Sequence, residues 1–318
     1  MIKYGILSTA SIVPRFVKGV RESGNGEVTA IASRGEAKAK QKAEELNIEK
    51  YYGSYEELYE DKDIDVIYIA TINFLHYQNI KDALNAGKHV VCEKPMVLKK
   101  EEAIELFDLA KEKGLFLVEA QKEIFLPITN MVKDIIKNKE IGDVGLLDFA
   151  TSFPGDYNAW TLDLSKGGGV FFTNAVYCIE YLEYIFNKPI SLYSGMRLKS
   201  EEFGGDKECI LNFKIGNEAL ATSKISGYVK LLNKLFIYGS EGYIEMDNFY
   251  RADKMTIHYY DDREEKEVSY PMTCEMTYEV KHFNECIEKG MTESDIMTKD
   301  MTLHSVEILE EIQKSWKC

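Results

Sequence analysis

Short, almost wholly apolar runs alternate with helical periods over the first third of the chain. Residues 3–7, 27–32, 66–70, 88–92 and 115–118 read as strands. Strands with so little polar content belong to a parallel sheet covered on both faces. Between them, 14–20, 36–46, 77–85 and 100–113 carry helical periods. In the last, Ala103, Ile104, Phe107 and Ala110 share one face, with Glu101, Glu105 and Lys111 elsewhere. Alternating β and α units of this length predict an α/β fold, an N-terminal Rossmann-like, doubly wound parallel sheet.

The pattern changes after about Glu119. One helix is expected over 124–138, followed by period-two stretches at 146–153, 191–198, 208–215, 219–226, 235–238 and 243–246. Gly239-Ser240-Glu241-Gly242 reads as a hairpin turn. A second hairpin is expected around 261–265, between strands 255–260 and 266–270. Helices near 278–289 and 299–314 close the chain. This half predicts a C-terminal α+β domain with an open, largely antiparallel sheet and helices on one face. The expected division is 1–121 and 122–318. An open sheet needs cover, from the chain's own helices or from a second copy. The second solution predicts a homodimer or higher homo-oligomer through the C-terminal sheet.

With 318 residues, two domains are the natural expectation. A formal charge of −14, from 39 basic and 53 acidic side chains, argues against non-specific nucleic-acid binding. A phosphate ligand would need a local basic cluster. No stretch approaches a membrane span, and the chain begins on a strand pattern with no apolar leader. Cysteines 92, 178, 209, 274, 286 and 318 show no C-x-x-C, and no His/Cys grouping has zinc-like spacing. Reduced, mostly buried thiols in a cytoplasmic protein are expected, with no metal.

The turn after the first strand is Ser8-Thr9-Ala10-Ser11-Ile12, followed by Val13. A G-x-G-x-x-G fingerprint would place its three small residues at Ser8, Ala10 and Val13, so the motif fails as written. Small residues at 8 and 10 still allow close backbone approach, and a helix N-terminus can hold a pyrophosphate through its N–H groups. An ordinary tight turn is the alternative. The second strand ends at Ser33-Arg34, where an acidic residue would hold the ribose 2′-hydroxyl of NAD. A hydroxyl and a guanidinium, with Lys38 one helical turn on, suit a 2′-phosphate instead, so NADP is expected in preference to NAD. After the third strand, Thr71, Asn73 and His76 are expected to line the nicotinamide ribose, although a lone histidine is more often structural.

Two further groupings carry chemistry. Glu93-Lys94-Pro95 ends an apolar strand, and a lysine there points into the ligand crevice of such sheets. It is a candidate proton donor or acceptor. Gly167-Gly168-Gly169 precedes an apolar helix carrying Thr173, Asn174 and Tyr177. The glycines suggest close approach to a substrate or cofactor. Thr173 and Tyr177 share a helix face. Tyr177 is either a proton-relay partner for a lysine or core packing.

The string Asn85-Ala86-Gly87-Lys88-His89-Val90-Val91-Cys92-Glu93-Lys94-Pro95 resembles the Gfo/Idh/MocA oxidoreductases, over nearly the whole chain. The resemblance implies an NAD- or NADP-dependent dehydrogenase or reductase acting on a sugar, polyol or related small molecule. It implies that Lys94 contacts substrate and nicotinamide as a catalytic candidate, with Glu93 on the cofactor side. The segment 167–177 matches the family's GGG…D…[HY] pattern, with Tyr177 at the H/Y position. Thr173 stands where the family has aspartate and cannot ionise near neutral pH. Tyr177 and the Ser8-Thr9-Ala10 loop point to the dihydrodiol-dehydrogenase-like branch. Glu119-Ala120-Gln121-Lys122 matches the family's "EA" segment, so Glu119 or Lys122 is expected near the substrate. Trp160 could wall an alicyclic ring. Two other readings stay open: an NADP-binding sensor without turnover, and an NAD-dependent glycoside-cleaving enzyme.

Overall fold

In the computed structural model, which describes residues 1–154 and 159–316, the chain opens with repeated strand–helix units. These are β1 (Ile2–Leu7), α1 (Val13–Glu22), β2 (Gly26–Ala32), α2 (Glu36–Leu46), β3 (Lys50–Tyr52), α3 (Tyr55–Glu60), β4 (Val66–Ile69), α4 (His76–Asn85), β5 (His89–Glu93), α5 (Lys100–Lys113) and β6 (Leu117–Ala120). All six strands pair in parallel, in the order β3-β2-β1-β4-β5-β6. Local chemistry sets the ends of the helices. Pro14 sits in the first turn of α1, where its missing N–H costs nothing. Ser54 and Glu57 close a capping box on α3. Gly114 takes φ +65° to end α5.

Sequence periodicity missed β3 and α3. Three residues at a sheet edge and a six-residue helix are too short to show a period. The strand expected at 115–118 is instead β6, so Glu119 lies within a strand.

The expected single boundary at 121/122 is corrected at its far end. The first compact unit comprises Met1–Gln121 and Cys274–Leu303. The second comprises Lys122–Thr273 and His304–Cys318. Its elements are α6 (Pro127–Lys137), β7 (Val144–Ser152), α7 (Ala159–Leu162), α8 (Val170–Phe186), β8 (Leu192–Lys199), β9 (Asp206–Ile215), β10 (Ala219–Ser226), β11 (Lys234–Gly239), β12 (Gly242–Asp247), β13 (Lys254–Tyr259) and β14 (Lys266–Ser269). Helices α9 (Met276–Glu288) and α10 (Lys299–Ser315) follow. In the first unit α9 packs on α1 at Gly19, where an added Cβ would lie 2.9 Å from Met276 Cβ. The sequence carries no mark of this return, because a buried helix face does not say which sheet it covers.

The second sheet has eight strands in the order β14-β13-β12-β11-β7-β10-β9-β8. The β7–β10 pair is parallel and the other pairs are antiparallel. Nearly every residue of α8 is buried, and the helix lies on β9 and β10. The helix expected over 124–138 is split. Lys122–Phe125 forms a 3-10 turn, and α6 restarts at Pro127. A proline disfavours helical backbone in the residue before it, and Leu126 is extended at φ −65°, ψ 137°.

Candidate functional site

The order of the first sheet places four expected segments at the C-terminal ends of neighbouring strands. Ser33-Arg34 follows β2, Ser8–Ile12 follows β1, Thr71 and Asn73 follow β4, and Lys94 follows β5. Three inter-strand steps separate the outer two, about 14 Å. The order reverses between β1 and β4, the switch point at which such sheets bind ligands.

At the β2 end, Ser8, Thr9, Ser33, Arg34 and Lys38 line one groove of about 640 Å³. Gly35, Glu36, Ala37 and Tyr55 complete it. Arg34 and Lys38 are exposed into solvent, while Ser33 is buried and donates its hydroxyl to the Gly35 carbonyl at 2.8 Å. Tyr55 and Glu36 escaped the sequence reading, because nothing in their neighbours marks them as groove residues. Burial pushes the Tyr55 phenol pKa up, against the Arg34 charge.

Ser8 has φ +134°, backbone that the missing fingerprint glycine would adopt without cost. Its Oγ accepts the Ala10 N–H at 3.1 Å, which holds the turn. Ile12, at the N-cap of α1, provides no side-chain cap. Ser11 is exposed beside it. A turn of small residues leading to a helix start with no capping side chain fits a phosphate-binding role.

His76 is corrected from a cofactor-lining residue to a clamp. It is fully buried, with Nδ1 2.9 Å from the Pro95 carbonyl and Nε2 3.0 Å from the Thr71 carbonyl. Burial holds its pKa below the usual imidazole value, against the pull of both carbonyls. A neutral ring donates to one of them at a time. His76 thereby ties the turn after β4 to the turn after β5. Thr71 Oγ1 also accepts from Asn79 at 3.0 Å, and Asn73 is buried in a 3-10 turn.

Lys94 is half-buried. Its surroundings are built by two carboxylates. Glu93 accepts from the Tyr68 hydroxyl at 2.6 Å, and the Tyr68 ring stacks on Phe16 with centroids 3.5 Å apart. Glu119 is buried and accepts the Met96 N–H at 3.0 Å. Burial pushes its pKa up to about 7, opposed by that hydrogen bond and by Lys94.

The second unit holds the other half of the expected chemistry. Lys122 Nζ donates to the Tyr177 hydroxyl at 3.0 Å and lies 4.4 Å from the ring centroid. Both residues are 7% exposed. The 3-10 turn carries Lys122, α8 carries Tyr177, and the Tyr250 ring packs on Tyr177 at 5.6 Å. Tyr250 gave no sequence signal.

Thr173 is committed elsewhere. Its hydroxyl donates to the Gly169 carbonyl at 2.8 Å and accepts from Asn174 Nδ2 at 2.8 Å. Asn174 Nδ2 also reaches the Val170 carbonyl at 3.3 Å. Trp160 sits in α7 at intermediate exposure.

The glycine run does not serve close ligand approach in the way expected. A Cβ on Gly168 would fall 2.4 Å from the Trp160 carbonyl oxygen, and one on Gly169 would fall 2.9 Å from the Asp206 carboxylate. The close approach is to the chain itself. Asp206 Oδ2 accepts the Phe171 N–H at 2.7 Å and so caps α8 from β9. Arg197 Nη1 stands 3.4 Å from Asp206 Oδ1. A cap 35 residues away in sequence is invisible to local motifs.

Comparison with known proteins follows the same division. Residues 2–121 match the model of the Gfo/Idh/MocA oxidoreductase family, NAD-binding Rossmann fold, and residues 129–245 match the Gfo/Idh/MocA C-terminal domain. The chain is 31% identical over 309 residues to trans-1,2-dihydrobenzene-1,2-diol dehydrogenase of Xenopus laevis, covering 93% of this chain and 92% of that one. It is 29% identical to the Mus musculus enzyme of the same name over 328 residues, covering 99% and 96%. Two solved structures share its fold. A 3-ketoreductase from Actinomadura kijaniata, KijD10, in complex with NADP and TDP-benzene, has a TM-score of 0.90 at 21% identity, covering 98% and 97% of the two chains. A levoglucosan dehydrogenase in complex with NADH and levoglucosan has a TM-score of 0.87 at 18% identity, covering 99% and 96%.

Proposed function

Because the chain belongs to the Gfo/Idh/MocA family of NAD(P)-binding oxidoreductases, we propose that it transfers a hydride between NADP and a small hydroxylated or carbonyl compound of the sugar, polyol or cyclic-diol class. The observation that carries the reading is the buried Lys122–Tyr177 pair. An ammonium 3.0 Å from a phenol oxygen stabilises the negative charge that forms there when the phenol proton leaves. The alcohol–carbonyl interconversion needs one such proton at the substrate oxygen.

Bound nicotinamide supplies or takes the hydride. Arg34 and Lys38 hold the 2′-phosphate in the groove they share with Ser8, Thr9 and Ser33. The Ser8–Ile12 turn and the start of α1 hold the pyrophosphate. Thr71 and Asn73 stand at the switch point, where the nicotinamide ribose belongs. Glu93 and Glu119 fix the loop carrying Lys94, which polarises the substrate oxygen. Tyr177 gives or accepts the proton, with Lys122 as its charge partner. Trp160 and Asn174 are assigned to the substrate surface. Thr173 replaces an aspartate by a hydroxyl already donated to Gly169, so no carboxylate relay runs through it.

The outer face of the second sheet supports a homo-oligomer. Leu220 pairs with Leu146, and Met196 with Ile210, so these pairs each share one face. Leu146, Met196, Leu198 and Leu220 are more than half exposed. A second copy covering this face is part of the proposal, and Leu220→Glu is expected to yield monomers in light scattering. Five described cysteines are free and buried, which suits the reducing cytoplasm. Among the described residues, no helix is long and apolar enough to cross a membrane.

The test is a spectrophotometric assay of NADPH and NADH turnover against cyclic diols, polyols and ketosugars, for wild type and Tyr177→Phe. Turnover lost in Tyr177→Phe with NADPH binding retained supports the reading. Tight NADPH binding with no turnover on any member of the panel replaces it with a nucleotide sensor.

A further inference from the structure

Near the end of α9 lies a cluster that hydride transfer does not use. His282 and Cys286 stand four apart, on one face of the helix. The loop after the helix brings Ser294 and Asp295 back to them. Cys286 Sγ is 3.3 Å from His282 Nε2, and Asp295 Oδ1 is 3.5 Å from the same nitrogen. One donor atom from each of the three residues lies within 4.8 Å of the other two. Tetrahedral Zn²⁺ at its usual bond lengths holds nitrogen, sulfur and oxygen donors about 3.3–3.6 Å apart. The two edges at Nε2, 3.3 and 3.5 Å, fall in that range.

The histidine is already in the tautomer a metal needs. Ser294 Oγ accepts the N–H groups of Ile296 and Met297, each at 3.0 Å. Its two lone pairs are thus occupied, and its own hydrogen is the one directed at His282 Nε2, 2.8 Å away. Nε2 is therefore the unprotonated nitrogen, with the ring proton on Nδ1; its lone pair accepts the Ser294 hydrogen, and an incoming ion would displace that hydrogen bond. Cys286 is buried and Asp295 is exposed, so the cluster opens to solvent on the carboxylate side.

We propose that His282, Cys286 and Asp295 form a binding site for Zn²⁺ or a similar borderline transition-metal ion, with water in the fourth position. Imidazole and thiolate donors favour such an ion over Mg²⁺ or Ca²⁺. On binding, the thiol proton leaves to solvent, and one thiolate and one carboxylate balance the two positive charges. No electron is transferred. The ion joins α9 to the loop before α10 and stabilises the fold as its concentration rises above the dissociation constant. The sequence expectation of no His/Cys spacing of this kind overlooked the pair, since the third donor arrives from a loop nine residues beyond Cys286.

Full-length protein without an affinity tag, stripped with a chelator, is titrated with Co²⁺. This ion adopts the geometry of zinc and reports sulfur ligation through a charge-transfer band. The expected result is a saturable band at one ion per chain, abolished in Cys286→Ser. Outer partners of a metal site are typically worth 10- to 100-fold in affinity, so loss of a ligand in Asp295→Asn is expected to weaken binding by at least about tenfold. Because Asp295 is exposed, that variant tests the site with the fold intact. No thiolate band in the wild type, an equal band in Cys286→Ser, or unchanged affinity in Asp295→Asn overturns the proposal.

Discussion

Lys122 Nζ stands both 3.0 Å from the Tyr177 hydroxyl and 4.4 Å from the centre of the Tyr177 ring. One ammonium thus meets both the oxygen and the π-face of the same buried side chain, each of which attracts positive charge. Such a pair loses its function as a unit. Tyr177→Phe and Lys122→Met are each expected to lower kcat by about 10²- to 10⁴-fold, the usual worth of general acid–base catalysis. The double variant is expected to be little worse than either single one, as steady-state kinetics would show. Additive losses would mean that the two residues act separately.

Arg34 and Lys38 share a groove with Ser33. A charge-assisted hydrogen bond contributes about 1.5–3 kcal/mol. Arg34→Ala is therefore expected to weaken NADPH binding by roughly ten- to a hundredfold and to leave NADH binding nearly unchanged. A fluorescence titration with both cofactors measures this. Equal losses for both would move Arg34 away from the 2′-phosphate.

Gly168 and Gly169 face the carbonyl of Trp160 and the carboxylate of Asp206, and Gly169 has φ +113°. Gly168→Ala and Gly169→Ala are each expected to destabilise the protein by about 1–3 kcal/mol through overpacking, with added backbone strain at Gly169. Urea denaturation would read this as a lower midpoint.

Glu119 titrates at about 7 in the folded protein because it is buried, above the ordinary 4.5. A raised carboxyl pKa makes the protonated form the stable folded species, so stability is lost as pH rises from about 4.5 through about 7. The difference corresponds to about 3 kcal/mol at most. Glu119→Gln keeps the acceptor for Met96 and removes the charge. Its stability is expected to match wild type near pH 4.5 and to exceed it increasingly up to pH 7, then level off. Thermal melts across that range would show the divergence, and parallel curves would mean that Glu119 is not buried as a charge.

Ser8→Ala leaves φ +134° in place and removes the bond to Ala10, whereas Ser8→Gly removes the strain together with that bond. Ser8→Ala is expected to be the more destabilising of the two, by about 1 kcal/mol, in urea titrations.

Much of the architecture was written locally. Buried parallel strands must be apolar on both faces, so the runs at β1, β4 and β5 announced their sheet directly. Alternation in β9 and β10 announced the open sheet, because one face of each strand meets α8. The positions of Arg34, Lys94 and Tyr177 were legible because each lies at a fixed offset from a strand end or a glycine run. The sequence could not place what depends on distant chain. His76 looked like a ligand-facing residue and instead spans two carbonyls, one of them 19 residues away. Gly167–Gly169 looked like a surface for ligands, yet Gly168 and Gly169 fit against Trp160 and Asp206. Asp206 caps α8, residues 274–303 return to the first sheet's unit, and Asp295 joins His282 and Cys286. Periodicity records which face of an element is buried, and it holds no information about which partner does the burying. That choice is made by packing and by hydrogen-bond satisfaction across the folded chain, where each buried donor and acceptor must find its partner.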